Sequence, residues 1–166
     1  YGINEKLAVQ LLGSEYVDLF ESIAKKVSVS PTVIAAMLTE TLKGLRRDGV
    51  DIERVSNEQI MEAFELIESG KTTKEAMPAL IVWLAKHEKA RATQAVEEIG
   101  LTTISREEIE NMIDSLISKN TMVIREQKDR AFGILMGMMM REVRGRVTAE
   151  TVSEILKDRL AKVLGR

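Results

Sequence analysis

From Phe132 to Arg146 the chain reads FGILMGMMMREVRGR, its most apolar stretch running into three arginines around one glycine. Wound at 3.6 residues per turn, the stretch separates into two faces. Phe132, Leu135, Met136, Met139 and Val143 make a wide apolar stripe that must be buried. On the opposite side Arg130, Gly133, Gly137, Arg141 and Arg144 fall in one narrow sector. A mid-helix glycine costs about 1 kcal/mol relative to alanine, so this pattern predicts something that approaches the bare backbone closely. A neighbouring helix is the plainer partner, with Ile134, Met138 and Met140 as packing residues. A phosphate backbone is the sharper one, with arginines at 130, 141 and 144 rimming a glycine floor. The two agree if the arginine tips snorkel outward.

The rest of the chain repeats the helical period and its punctuation, while β-branched alternation is scarce. Gly2 to Leu12 and Glu15 to Lys26 read as two short helices broken at Gly13-Ser14, with Leu7, Leu11 and Leu12 on one face and Leu19, Phe20 and Ile23 on the next. Ser30-Pro31 starts a helix, because serine caps free amides and proline fits the first helical position. It runs through Val33, Ile34, Met37, Leu38, Leu42 and Leu45 to Asp48, where Gly49 stops it. Ser56 to Gln59, Thr72 to Glu75 and Ser105 to Glu108 all have the spacing of a capping box, in which two side chains satisfy each other's free backbone amides. The first opens a helix with Ile60, Phe64 and Ile67 inward, ending at Gly70. The second is interrupted by Pro78, which predicts a turn and then a helix carrying Leu80, Ile81, Leu84 and Ala85. Lys89 to Thr93 reads as a surface connection and Gln94 to Ile99 as a short helix closed by Gly100. The third box opens a helix with Ile109, Met112, Ile113, Leu116 and Ile117 inward, ended by Asn120.

One long helix is predicted from about Thr121 to Arg144, with Gly145 as its C-terminal stop. Thr148 caps a last amphipathic helix bearing Val152, Ile155, Leu156, Leu160 and Val163. The expected fold is all-α: a helical domain over residues 1–104, then a small three-helix tail domain over 105–166, joined through Gly100 to Ile104.

Composition narrows the function. At 166 residues, with 45% hydrophobic and 30% charged positions, the chain has the balance of a globular protein. It has no cysteine, which removes disulfides, thiolate metal sites and cysteine nucleophiles and fits a reducing, cytoplasmic setting. It opens on Tyr1 without an initiator methionine or a signal-like run, and reads as a piece of something longer. Its longest apolar or glycine run, Ala131 to Met140, is about half of what spans a bilayer, so no membrane partner is expected. The net charge of −2 conceals an asymmetry: residues 1–120 hold 14 Lys+Arg against 20 Asp+Glu, residues 121–166 hold 10 against 6. A basic C-terminal part fits an anionic partner or a solvated basic face.

Little chemistry is available. The single histidine, His87, stands near a helix end without a second histidine or cysteine for a metal site. No GxxxxGK[ST] loop or GxGxxG turn is present to cradle a nucleotide. Glu97-Glu98 and Glu107-Glu108 sit at helix ends without an apolar pocket to raise a pKa, and Trp83 reads as core. No self-contained catalytic site is predicted. Basic residues cluster twice, at Lys43, Arg46 and Arg47 and at Arg125, Lys128, Arg130, Arg141, Arg144 and Arg146. Only Phe132 is aromatic near the second cluster, and its spacing assigns it to the core, so recognition of RNA by shape and phosphate fits better than base stacking.

The run Phe132 to Arg146, followed by Thr151-Val152-Ser153-Glu154-Ile155-Leu156-Lys157, resembles the tail domain of tRNA-dependent amidotransferases. Ser28 to Ala35 and Leu38 to Gly49 look more specifically like the E subunit of the archaeal glutamyl-tRNA(Gln) amidotransferase; the bacterial B subunit shares the tail but matches the middle segment less well. The resemblance covers most of the chain. It implies a ligase that activates the glutamate of misacylated Glu-tRNA(Gln) with ATP and amidates it with ammonia from an amidase- or asparaginase-like partner subunit. The kinase chemistry, with its ATP and Mg, would lie in an N-terminal cradle domain that these residues lack. No cofactor is therefore expected in this segment.

For this segment the resemblance implies a role in gripping tRNA(Gln), with no DNA partner. Carried over on the matched tail motif are Gly133, Gly137, Arg141, Arg144, Gly145 and Arg146; charge and face add Lys128 and Arg130. The alternative reading is a helical protein-interaction module with a methionine-rich groove, which would leave Met136 and Met139 exposed. A stand-alone enzyme ranks third.

Overall fold

The computed structural model describes residues 1–127 and 130–165. Helices connected by turns account for the architecture, and the described residues form no strand, in keeping with an all-α fold. The chain divides into two compact units, Tyr1–Thr102 and Thr103–Arg166.

The first unit is built from α1 (Glu5–Leu12), α2 (Val17–Lys26), α3 (Pro31–Ala36), α4 (Leu42–Arg47), α5 (Asn57–Glu68), α6 (Met77–Lys86) and α7 (Ala92–Glu98). α3 passes into α4 through a π-helical turn, Met37–Thr41, so the predicted Pro31 helix is continuous but locally widened. Its core gathers Ile23, Ile34, Leu38, Leu42, Phe64, Met77, Leu80, Ile81 and Leu84, all fully buried. α6 carries four of these and packs against α4, α5 and α7.

Three local expectations change. Leu12 is 72% exposed, because α1 ends there and only Leu7 and Leu11 of its predicted face reach the core. The Thr72 box does not form: a short 3-10 turn, Lys74–Ala76, replaces it, and the Thr72 hydroxyl donates to the Leu101 carbonyl at 2.9 Å. α7 starts at Ala92 rather than Gln94, because the Glu62 carboxylate on α5 accepts from the Ala92 amide at 2.9 Å and caps the helix from outside.

The second unit holds α8 (Arg106–Lys119), α9 (Thr121–Gln127), α10 (Ala131–Val143) and α11 (Ala149–Leu164). The single long helix expected over 121–144 is therefore two, and the tail has four helices among its described residues rather than three. Asn120 separates α8 from α9, and α10 packs on α8, α9 and α11. Ile109, Ile113, Ile124, Leu135, Met139, Val143, Val152 and Leu156 fill the core between them. Val163, read as inward, is 54% exposed on the last turn of α11.

Charge fastens α8 to α11. Arg159 reaches Glu110 at 3.1 Å and Asp114 at 3.2 Å, while Arg106 reaches Glu110 at 3.1 Å and Glu154 at 3.0 Å.

Candidate nucleic-acid interface

α10 presents the predicted apolar stripe inward. Leu135, Met139 and Val143 are buried, and Phe132 and Met136 are half-buried along its edge. Gly133, Gly137, Arg130, Arg141 and Arg144 are exposed on the other side. A Cβ added at Gly133 or at Gly137 would meet nothing within 4 Å. The neighbouring-helix explanation for these glycines therefore fails within this unit: among the described residues no side chain or backbone of another element comes within 4 Å of an added Cβ. Ile134 and Met138 fail as packing residues for the same reason, being 38% and 40% exposed.

The arginines on this face are uncommitted. Arg130, Arg141 and Arg144 have no carboxylate within ion-pair distance among the described residues, whereas Arg106 and Arg159 on the α8–α11 side are held by acids. α10 thus offers bare backbone, a little apolar surface at Ile134 and Met138, and cations along one side. A strip without side chains, open to close approach and edged by guanidinium groups, suits an extended polyanion, since each guanidinium can fork onto a phosphate.

The remaining candidates separate from this floor. Gly145 is buried at φ +81°, the left-handed conformation that glycine tolerates best, and it turns the chain out of the helix. Arg146, beyond the turn, donates its amide to Val143 at 2.9 Å and accepts from the Ile104 amide at 3.2 Å, so its backbone ties the helix end to the entrance of α8. There the Ser105–Glu108 capping box holds the Glu108 carboxyl below its ordinary value, through hydrogen bonds from the Ser105 amide and hydroxyl, with the Arg146 charge adding to them. Lys128 lies outside the described residues.

One cation near the floor has no place in the sequence pattern. Lys157 of α11 holds its ammonium over the half-buried Phe132 ring, 5.5 Å from the centroid. Only the pairing of α10 with α11 brings it there.

A family model described as the GatB domain matches residues 18–160. The chain belongs to the GatB domain family. It is 37% identical over 163 residues to the E subunit of the glutamyl-tRNA(Gln) amidotransferase of Thermococcus gammatolerans, covering 98% of this chain. It is 33% identical over 164 residues to that of Methanocaldococcus jannaschii, covering 98%, and 38% identical over 165 residues to that of Pyrococcus horikoshii, covering 99%. In each case the match takes in 26% of the relative's length. The expected likeness to the archaeal E subunit is thus found, over nearly all of this GatB-domain chain.

The other basic cluster of the sequence, Lys43, Arg46 and Arg47, lies in the first unit, and there the charges are partly spent. Arg46 donates to Glu15 at 3.0 Å and Glu53 at 2.7 Å. The first of these hydrogen bonds holds the Glu15 carboxyl below its ordinary value. Lys43 and Arg47 stay exposed beside a groove of about 1000 Å³ that also takes in Val9, Leu38, Glu40 and Gly44. His87 stacks on Trp83, ring centroids 3.9 Å apart, and its Nδ1–H donates to the Trp83 carbonyl at 2.8 Å. It closes the end of α6. Among the described residues no group of His, Asp or Glu side chains is arranged to hold a metal ion, and no helix is long and apolar enough to cross a membrane.

Proposed function

We propose that this GatB-domain chain is the RNA-gripping part of the E subunit of a glutamyl-tRNA(Gln) amidotransferase, and that the exposed face of α10 is a contact surface for tRNA(Gln). The observation that carries it is the open space above Gly133 and Gly137, beside arginines that no acid among the described residues neutralises. Two mid-helix glycines each forgo about 1 kcal/mol of helix stability, and no packing among the described residues of this unit offsets that loss. A ligand that needs the bare backbone would.

In this proposal the whole subunit works in the cytoplasm with an amidase-like partner, turning Glu-tRNA(Gln) into Gln-tRNA(Gln) by ATP-dependent transamidation. The chain positions the tRNA and does no chemistry itself. In the same reading, ATP and Mg belong to the part of the subunit outside this chain, as the family resemblance implies. The contact is to backbone and shape, with base identity secondary. The methionine-groove alternative is disfavoured by Met139, which is 1% exposed.

The test is a titration of the full-length subunit, in complex with its partner, with unmodified tRNA(Gln) transcript across a range of salt. Arg141→Ala with Arg144→Ala is expected to weaken binding to any tRNA and to flatten the salt dependence by roughly 0.7–0.9 per lost phosphate contact. Unchanged affinity and slope in the double variant would remove this surface as the site.

A further inference from the structure

The cations of α11 divide into two kinds. Arg159 is held by Glu110 and Asp114, and Lys162 by Asp158 at 2.7 Å. Lys157 is exposed and has no carboxylate partner among the described residues; its ammonium rests over Phe132 instead. A ring face attracts an ammonium weakly at an exposed site, and it neither neutralises the charge nor occupies the N–H donors. Phe132 therefore places Lys157 without consuming it.

The position that results matters. Around α10, Phe132, Met136 and Met140 form the half-buried edge beside α11, Gly133 and Gly137 follow, and Arg130 and Arg141 lie beyond them. The glycine strip consequently has a cation on each side. The two rims stand about one helix diameter apart, roughly 10 Å, and Arg141 lies nine residues beyond Phe132, a further offset of roughly 13.5 Å along the axis. The acid-paired arginines of this unit join α8 and α11, while Arg130, Arg141 and Lys157 have no acid partner among the described residues. Such sorting is the charge pattern of a surface that an anion crosses from side to side.

We infer that Lys157 is a second RNA-contacting cation, and that the RNA lies across α10, with phosphates held by Lys157 on one rim and by Arg141 on the other. This rests on the reading of α10 as an RNA surface and adds a residue on another helix and a direction of approach. Lys157 touches the ligand by charge alone, so arginine replaces it and glutamine does not.

The experiment uses the full-length subunit with its partner and unmodified tRNA(Gln) transcript, titrated at several salt concentrations. Lys157→Ala, Lys157→Gln, Lys157→Arg, Arg141→Ala and the Lys157→Ala/Arg141→Ala pair are compared. Lys157→Ala and Lys157→Gln are expected to weaken binding several-fold and flatten the salt slope by about 0.7–0.9, with Lys157→Arg keeping the slope. The pair is expected to lose both increments, since two separate phosphates are released. If Arg141→Ala weakens binding and Lys157→Ala changes nothing, the inference falls and the reading of α10 stands. If neither changes anything, both fall. Weaker binding with an unaltered slope in Lys157→Ala would mean lost packing on Phe132 and overturn the charge role. A pair no worse than either single variant would place both cations on one phosphate, and the RNA would not cross the helix.

Discussion

The Glu62 carboxylate and the Ala92 amide meet at 2.9 Å, 30 residues apart in the chain, and this contact starts a helix. The other oxygen of Glu62 accepts from Arg91 Nε at 3.0 Å. An acid from α5 thus does for α7 what a serine does at other helix starts. Glu62→Ala leaves the Ala92 amide without its acceptor in a half-closed site, and a lost cap costs about 1–2 kcal/mol. Urea unfolding of the first unit is expected to shift to lower concentration by that amount. Glu62→Gln, which retains an acceptor oxygen, should lose less. The ion pair with Arg91 adds little, because Arg91 is 74% exposed.

The Ser105 box predicts a pH effect of definite sign. Hydrogen bonds from Ser105 hold the Glu108 carboxyl below its ordinary 4.5 in the fold. A depressed folded pKa means that the stabilisation is complete above the unfolded value and is lost as pH falls through the folded one. Protection against hydrogen exchange at the first turn of α8, taken relative to the intrinsic exchange rate at each pH, should fall as the solution is acidified below about 4.5. In Ser105→Ala, where the Glu108 carboxyl is less depressed, that pH-dependent loss of protection should be smaller. If acidification leaves that turn as protected as at neutral pH, the box is not what holds it.

How far these features were legible depends on how far apart their partners lie. The Ser56 and Ser105 boxes close within three residues, Gln59 and Glu108 answering their own caps, and the sequence spells them completely. Thr72 has the same spelling, yet its hydroxyl finds Leu101 across 29 residues, and the distant acceptor wins. The cap from Glu62 has no local signature at all. On α10 the helical period is enough to put Gly133, Gly137 and the arginines on one face, because their relative angles follow from spacing alone. Whether another helix covers that face depends on tertiary packing, as does the arrival of Lys157 over Phe132. A periodicity argument reaches neither.

The glycines of α10 make the sharpest test, because one substitution should act in opposite directions at positions eight residues apart. Gly137 stands in mid-helix with nothing within 4 Å of an added Cβ. Gly137→Ala relieves the backbone cost of glycine and should stabilise the second unit by up to about 1 kcal/mol, slowing hydrogen exchange along α10. Gly145 is buried at φ +81°. There an alanine Cβ is strained against the backbone, so Gly145→Ala should destabilise the same unit by about 1–2 kcal/mol. RNA affinity separates the two causes. Gly137→Ala, in the more stable fold, is expected to bind tRNA more weakly, because a methyl group holds the phosphate backbone off the helix. An affinity that rises or stays level with the added stability would mean that no ligand approaches Gly137 closely, and the open floor would lose its role.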